Sequence, residues 1–334
     1  MPKISVIIVN YATKGLIKKC VDNLLKVWDD IEVFFIDNDS PDGSSEEAHK
    51  HFDNNSKVTI IDMPNKGQPP AYNAALAKLS GDYVMYLGTD AFPKKEALVA
   101  MTEFLAANEI VGVVTPHLYL RDGSMDIDCH RGFPTPWNAI THFSGLAKIF
   151  PKSPMFSGLH KSYMDFDSRH PIDMGITHCV MVKRSVSDEI GKWDEDYFIF
   201  GEDIDFYYKV QKAGYLTYFL GDVRVLHYKG ASVGRDTAKD IDNVLNTDFG
   251  SVSFGGKTIK SNKAPNKNAN RKRPSRAALW MKIKITQEKT RAMRLFYAKH
   301  YNKKYPKLLN SLVLLGITVA EFFKVAKVIL KSFF

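Results

Sequence analysis

The sequence predicts an α/β fold built on a mostly parallel central sheet, and three observations predict it. Short β-branched runs recur between residues 4 and 230, each ends in polar or acidic residues, and the segments between them have helical spacing. A nearly continuous apolar run is the pattern of a strand buried on both faces, as in a parallel sheet covered by helices. With 334 residues, 45% of them hydrophobic and 12% aromatic, the chain has ample material for such a core.

Ile4-Ser5-Val6-Ile7-Ile8-Val9-Asn10-Tyr11 is the first of these runs. Lys14 to Trp28 then sets Leu16, Cys20, Leu24, Leu25 and Trp28 on one side of a helix, and Glu32 to Asp39 is a second strand ending in acids. Strand, helix, strand makes a βαβ unit, which brings Asn10, Tyr11, Asp37 and Asp39 to adjacent carboxyl ends, where open α/β sheets bind ligands. After the turn Ser40-Pro41-Asp42-Gly43, a helix over 44–52 and a strand over 58–61 repeat the rhythm. The loop Asn65-Lys66-Gly67-Gln68-Pro69-Pro70 leads into a small-residue helix over 71–77, able to lie close under a ligand. Asp82 to Leu87 is the fourth strand. Asp90, just past it, is well placed to hold a divalent cation, with an N-cap or turn role as the plainer alternative.

A helix over 94–108 and a strand over 111–114 follow. Thr115 to Asp173 is poor in periodicity and rich in Pro, Gly, His and aromatics; long irregular segments in a compact domain carry function, here recognition of a second substrate. A strand over 175–184 and a helical turn over 185–190 precede Trp193 to Phe206, where acids are interleaved with apolar and aromatic residues. A carboxylate against an apolar wall is costly unless it has a partner or a task, and such a place suits a general base. The plainer reading is an acid-rich helix start, since Glu202 onward opens a helix with acids on its positive end. A strand over 216–219 and the run Val223 to Tyr228 close the body, and by itself His227 at a strand end is more often structural than a ligand.

Charge divides the chain. From Lys257 to Phe334 there are 20 Lys and Arg against two acids, a net of +18, so residues 1–256 carry −9 of the overall +9. A basic tail on an acidic body points to an anionic partner, a membrane surface or nucleic acid. Residues 229 to about 275 are polar and Gly/Asn/Lys-rich, as in a loop or linker. Thr286 to Tyr301 reads as a basic helix. Lys307 to Phe334 reads as a long one in which Glu321, Lys324, Lys327 and Lys331 lie opposite Phe322, Phe323, Ala326, Ile329 and Leu330. Its apolar run stops short of the ~20 residues a span needs, so an in-plane amphipathic helix on anionic lipid is expected, with packing on the body or on a second subunit as the alternative. Three domains follow: a body over 1–230, a polar basic linker over 231–280, and basic amphipathic helices over 281–334. Cys20, Cys129 and Cys179 have no metal-ligand spacing and argue for a reducing compartment. Met1-Pro2-Lys3 runs straight into a strand, so no secretory signal is expected.

Taken together, the motifs Val6-Ile7-Ile8-Val9-Asn10-Tyr11, Ile36-Asp37-Asn38-Asp39-Ser40-Pro41-Asp42-Gly43, Asn65-Lys66-Gly67, Tyr86-Leu87-Gly88-Thr89-Asp90-Ala91, Trp193-Asp194-Glu195 through Glu202-Asp203-Ile204-Asp205, and Val225-Leu226-His227 resemble, in order and spacing, the inverting family-2 glycosyltransferases. Within them they are similar to the bacterial rhamnosyltransferase-like branch. The resemblance covers residues 4 to about 230 and implies a GT-A fold, Rossmann-like, here with a C-terminal helical basic appendage. It implies that Asn10, Tyr11, Asp37 and Asp39, with Lys66, Gly67, Asn73 and Thr89, surround a nucleotide-sugar donor, dTDP- or UDP-linked, rhamnose first among the sugars. It implies that Asp90 ligates Mn2+ or Mg2+ and that His227 completes the shell, reversing the structural reading of that histidine. Asp203 would be the catalytic general base, with Glu202 and Asp205 placed to position the acceptor or brace the base, and with Asp173, Trp193 and Asp205 on the acceptor side. The acceptor would be a lipid-linked or surface glycan, and the enzyme peripheral on the cytoplasmic face of the membrane; a homo-oligomer is compatible with this.

One departure stands out: the family has an acid or Asn where this chain has Gly88, so the cation shell is expected to lean on water, diphosphate and His227, with loose metal dependence. Two rival classes are a nucleotidyltransferase-like enzyme, which gives no reason for the late acid cluster, and a nucleic-acid-binding protein acting through the tail, which contains no recognised nucleic-acid signature.

Overall fold

The structure, a computed structural model, describes residues 1–229 and 276–333. The linker expected over 231–280 falls largely outside the described residues.

The first strands form as the apolar runs require. β1 (Ile4–Asn10), β2 (Ile31–Asp37), β3 (Val58–Asp62) and β4 (Tyr83–Leu87) lie parallel in the order β3-β2-β1-β4. They are joined through α1 (Lys14–Val27), α2 (Ser44–Phe52) and α3 (Gln68–Leu76). α1 buries Leu16, Ile17, Cys20, Val21 and Leu24 in the core that contains Val6, Ile8 and Val33; each such side chain contributes roughly 1.5–3 kcal/mol. The register sets Asn10 beside Asp37 and Asp37 beside Asp62, so the polar ends of three strands finish level.

Beyond β4 the expected parallel character changes. The chain continues through β5 (Ala91–Phe92), α4 (Lys95–Ala107) and β6 (Val111–Tyr119). It then passes through α5 (Pro136–Phe143), α6 (Leu146–Ile149), β7 (Arg169–Ile172) and β8 (Cys179–Lys183). The long connection returns β8 from the opposite end, and it enters antiparallel between β4 and β6. After α7 (Arg184–Ile190) and α8 (Glu202–Lys212), β9 (Leu216–His227) completes the order β3-β2-β1-β4-β8-β6-β9-β5, with β7 on β9. The sheet is thus parallel in its first half and mixed in its second.

Two predicted short strands are longer in the structure. β6 runs to Tyr119, and residues 216–227 form one strand carrying an irregularity opposite Pro116 and His117. Gly221 sits at that irregularity because a Cβ there would come within 2.6 Å of the Phe166 and Ser168 carbonyl oxygens. The strand then ends with His227 directly opposite Ala91, next in sequence to Asp90. Cys20, Cys129 and Cys179 are free and buried, and burial pushes all three thiols up, as expected of packing residues.

The chain divides into two compact units. The sheet and its helices form the first. The second contains Asp196–Glu202 together with α9 (Arg276–Phe296), a turn over Tyr297–Tyr301 and α10 (Lys307–Phe333). Within it Lys299 Nζ lies 2.7 Å from Asp196 Oδ2, and the Lys289 and Lys299 ammonium groups sit over the Phe200 and Tyr197 rings. α9 and α10 are tied by Arg294 to Glu321 at 2.6 Å and by Tyr297 OH donating to Asn310 Oδ1 at 2.8 Å. Leu308, Leu312, Leu315, Phe322, Phe323 and Leu330 of α10 are exposed. No helix among the described residues is long and apolar enough to cross a membrane.

Candidate active site

The polar ends of β1, β2 and β4 are joined by a buried hydrogen-bond chain. Asn10 Nδ2 donates to Asp37 Oδ1 at 2.7 Å and to Ser40 Oγ at 3.0 Å, while the Ser40 amide donates to Asp37 Oδ2 at 2.9 Å. On its other side Asn10 Oδ1 accepts from Thr13 Oγ1, which also meets Thr89 Oγ1 at 3.0 Å. Side-chain polar groups this buried must be satisfied, and here they satisfy one another. Tyr11 is exposed, and Ala12 and Asp39 adopt left-handed backbone around this chain. Lys66 is exposed; Gly67, at φ 102°, precedes α3, and its carbonyl accepts from Asn38 Nδ2 at 3.1 Å. Asn73, expected beside the donor, is engaged elsewhere. Its Nδ2 donates to Trp193 O at 2.9 Å and to Glu195 Oε1 at 2.8 Å, and its Oδ1 accepts the Trp193 amide at 2.9 Å.

Asp90 and His227 meet because β5 pairs with β9: His227 Nε2 lies 3.5 Å from Asp90 Oδ1, both side chains almost fully buried. The opposite ring nitrogen, Nδ1, is 2.8 Å from Asp126 Oδ2, and Lys229 Nζ is 2.7 Å from Asp126 Oδ1. Burial pushes His227 down, but the Asp126 and Asp90 carboxylates outweigh it and hold the imidazole at about 9. Asp126 is held well below the usual carboxylate range: burial opposes this, and His227 and Lys229 prevail. His178, just before β8, brings a second ring to the place, 4.5 Å from that of His227 between centroids. Its Nδ1 is shielded from solvent and has no hydrogen-bond partner among the described residues, and burial, with His227 alongside, lowers its pKa.

Asp90, His178 and His227 can each offer one ligand atom, all within 4.8 Å of one another, so these residues fit a divalent cation. Beside Gly88, where a thin shell is expected, stands a second imidazole. A Cβ on residue 88 would lie 3.0 Å from both Asp90 Oδ1 and His178 Cδ2, so the glycine leaves room that the second imidazole fills.

The third cluster lies at the start of α8. Asp203 Oδ2 accepts from Arg131 Nη2 at 2.7 Å and its Oδ1 accepts the Ile204 amide at 2.9 Å. Arg131 Nη2 also donates to Gly175 O at 2.9 Å, so the guanidinium spans the lead-in to β8 and the first turn of α8. Trp193 stacks on Phe206 at 4.6 Å and donates through Nε1 to Tyr86 OH at 3.0 Å, which anchors the loop before α8 on β4. Asp205 is buried with Lys209 Nζ 3.0 Å away, and Glu202 is buried as the first residue of the helix. Asp173, expected on the acceptor side, accepts from the Phe133 amide at 3.1 Å and faces Lys161 Nζ at 3.0 Å.

Three residues of these clusters escape sequence reasoning. His178 leaves a faint signal as a histidine entering an apolar run; Asp126 and Arg131 sit in the irregular segment and leave none.

The sequence model of glycosyl transferase family 2 matches residues 5–191, more than half of the chain. The chain belongs to glycosyl transferase family 2. It is similar to the N-acetylglucosaminyl-diphospho-decaprenol L-rhamnosyltransferase of Mycobacterium tuberculosis, 26% identical over 223 residues, which cover 63% of this chain and 71% of that one. It is 31% identical to chondroitin synthase of Pasteurella multocida over 128 residues, 37% of this chain and 13% of that one. Among solved structures, the mannosyltransferase of Pyrobaculum calidifontis in complex with GDP-Man and Mn2+ superposes with a TM-score of 0.49 at 16% identity, covering 98% of this chain and 73% of that one. As a family 2 glycosyltransferase the protein is an enzyme, and its helix-flanked sheet with a C-terminal helical region is the α/β class expected from sequence.

Proposed function

We propose that this glycosyltransferase moves a sugar, with inversion, from a dTDP- or UDP-linked donor to a hydroxyl of a lipid-linked or surface glycan. The observation that carries the reading is the buried Asp90–His178–His227 set, supported by the Asn10–Asp37 chain at the ends of β1 and β2 and by Asp203 at the start of α8. The Asn10–Asp37 chain suits a nucleoside, whose hydroxyl and amide groups pair with such donors and acceptors. The buried set suits Mn2+ or Mg2+, and two imidazoles beside one carboxylate favour Mn2+ over the oxygen-seeking Mg2+. Such a cation supplies charge stabilisation to the departing diphosphate.

The chain's own residues do the rest. Asp90, His178 and His227 would hold the cation, and Asp126 fixes His227 so that Nε2 faces inward. Asp203 accepts the acceptor hydroxyl's proton as that oxygen attacks the anomeric carbon from the face opposite the nucleotide. Arg131 orients the carboxylate through Oδ2. Glu202 and Asp205 brace the helix start. Rhamnose as the transferred sugar and a polyprenyl-diphosphate-linked acceptor draw support from the mycobacterial relative, whose name specifies that reaction.

The exposed apolar residues and neighbouring lysines of α10 support peripheral attachment to an anionic membrane, on the cytoplasmic side where nucleotide sugars are made. Incubation with a panel of nucleotide sugars, followed by product analysis, tests the reaction. Free nucleoside diphosphate is the expected product; pyrophosphate would make the protein a nucleotidyltransferase instead.

A further inference from the structure

The segment that follows Arg131 folds into a small lobe whose large apolar side chains face outward. α5 is capped by Thr135, whose hydroxyl accepts the Asn138 amide at 3.2 Å, and begins with Pro136. Its buried positions are Pro136 and Thr141, while Trp137, Ile140 and Phe143, spaced along one stripe, are 48%, 51% and 58% exposed. Ile149, Phe150 and Met155 beyond it are 66%, 47% and 63% exposed. The lobe is not loose: Trp137 Nε1 donates to Met155 O at 2.8 Å, Asn138 Nδ2 donates to Phe133 O at 2.8 Å, and the Phe150 and Phe156 rings pack 5.2 Å apart. A helix that buries a threonine and presents a tryptophan, an isoleucine and a phenylalanine to solvent reverses the usual pattern, and a contiguous exposed apolar patch marks an interaction site.

Charge says what the partner is. Between Asp128 and Asp165 the chain has no acid, while Lys148 and Lys152 lie exposed among the apolar residues. Trp and Phe at the surface, aliphatic side chains around them and lysine at the rim are what the interfacial layer of an anionic bilayer accepts: ring and chain in the acyl boundary, ammonium at the headgroups. Arg131, at the root of the lobe, holds Asp203. A bilayer meeting the lobe would therefore deliver a membrane-borne acceptor to the side of the site where Asp203 lies.

We propose that residues 136–156 form a membrane-docking surface that seats in the interface of an anionic lipid bilayer. This deepens the lipid-linked-acceptor reading and rests on it for its purpose.

The full chain carries its own probe. Trp28 and Trp193 are buried, Trp137 and Trp280 exposed, so Trp280→Phe leaves Trp137 as the exposed reporter. With phosphatidylglycerol vesicles, Trp137 emission is expected to shift to the blue and to be quenched by bromine-labelled acyl chains, with neither change in phosphatidylcholine alone. Adding Ile140→Ser, Phe143→Ser and Ile149→Ser should weaken partitioning by about tenfold or more while leaving donor hydrolysis in solution, which reports folding, unchanged. Vesicle binding with Trp137 emission unmoved and unquenched would assign attachment to another surface and overturn the proposal. A blue shift that appears with protein concentration in the absence of lipid would give the face to a second copy and overturn it too. Comparison of lipid-linked with soluble acceptors separates the two ideas: insertion of Trp137 with transfer only to soluble glycans sinks the lipid-acceptor reading and leaves the docking surface standing.

Discussion

Asp126 Oδ2 and His227 Nδ1 face each other at 2.8 Å, both side chains 2% exposed, although 101 residues separate them in sequence. A carboxylate on one imidazole nitrogen fixes the tautomer and aims the other nitrogen, here toward Asp90. Asp126→Asn should therefore weaken Mn2+ binding by roughly 10–100-fold with little change in fold. Titration calorimetry with Mn2+ alone, with circular dichroism as the folding control, checks this. Unchanged affinity would make Asp126 a purely structural partner of His227 and Lys229.

His178 and Gly88 act as a matched pair. His178→Ala should lower Mn2+ affinity and narrow its margin over Mg2+, because an imidazole leaves the set. Gly88→Ala should crowd the Asp90 carboxylate and the His178 ring, each 3.0 Å from the added Cβ, and lower cation binding without removing a ligand. Activity that persists in full in the presence of a chelator would refute the cation assignment altogether.

For Asp203, loss of the base without loss of shape is the informative change. Asp203→Asn should reduce transfer by about 10²–10⁴-fold while nucleotide-sugar binding, followed by calorimetry or thermal shift, survives. Lost donor binding in a folded variant would instead mark Asp203 as a donor ligand. Arg131→Met should also lower transfer, by less, because it frees the carboxylate to rotate.

A pH dependence of stability follows from His227. Its folded pKa, about 9, lies above the ordinary 6.5, so the imidazolium between Asp90 and Asp126 stabilises the cation-free protein. That contribution, of the order of 1–3 kcal/mol, is complete below about pH 6.5 and is lost as pH rises through about 9. Melting in chelator should accordingly fall between pH 7 and 9. Saturating Mn2+, which takes the proton's place, should flatten the slope, and a profile equally steep with and without the metal would argue against shared occupancy.

The parallel half of the fold was legible because its determinants are local. β-branched runs fix β1 to β4, helical spacing fixes α1 and α2, and strand ends carry Asn10, Asp37 and Asp90 to one edge. The acid-rich start of α8 was legible for the same reason. Legibility failed where pairing joins distant segments. Nothing in residues 120–178 announces that Arg131 reaches Asp203 or that β8 enters antiparallel, and nothing local to Asn73 announces its turn toward Trp193 and Glu195.

By itself, then, the sequence determined which residue types stand at the carboxyl ends of the first four strands, and hence the fold class and the chemistry those ends can offer. Only the tertiary structure decided that His178 fills the room beside Gly88 and that Asp126 backs His227. The physical reason is that strand periodicity is encoded within a few residues, whereas a buried carboxylate–imidazole contact depends on the register of β5 with β9 and on a long connection whose course no local preference specifies.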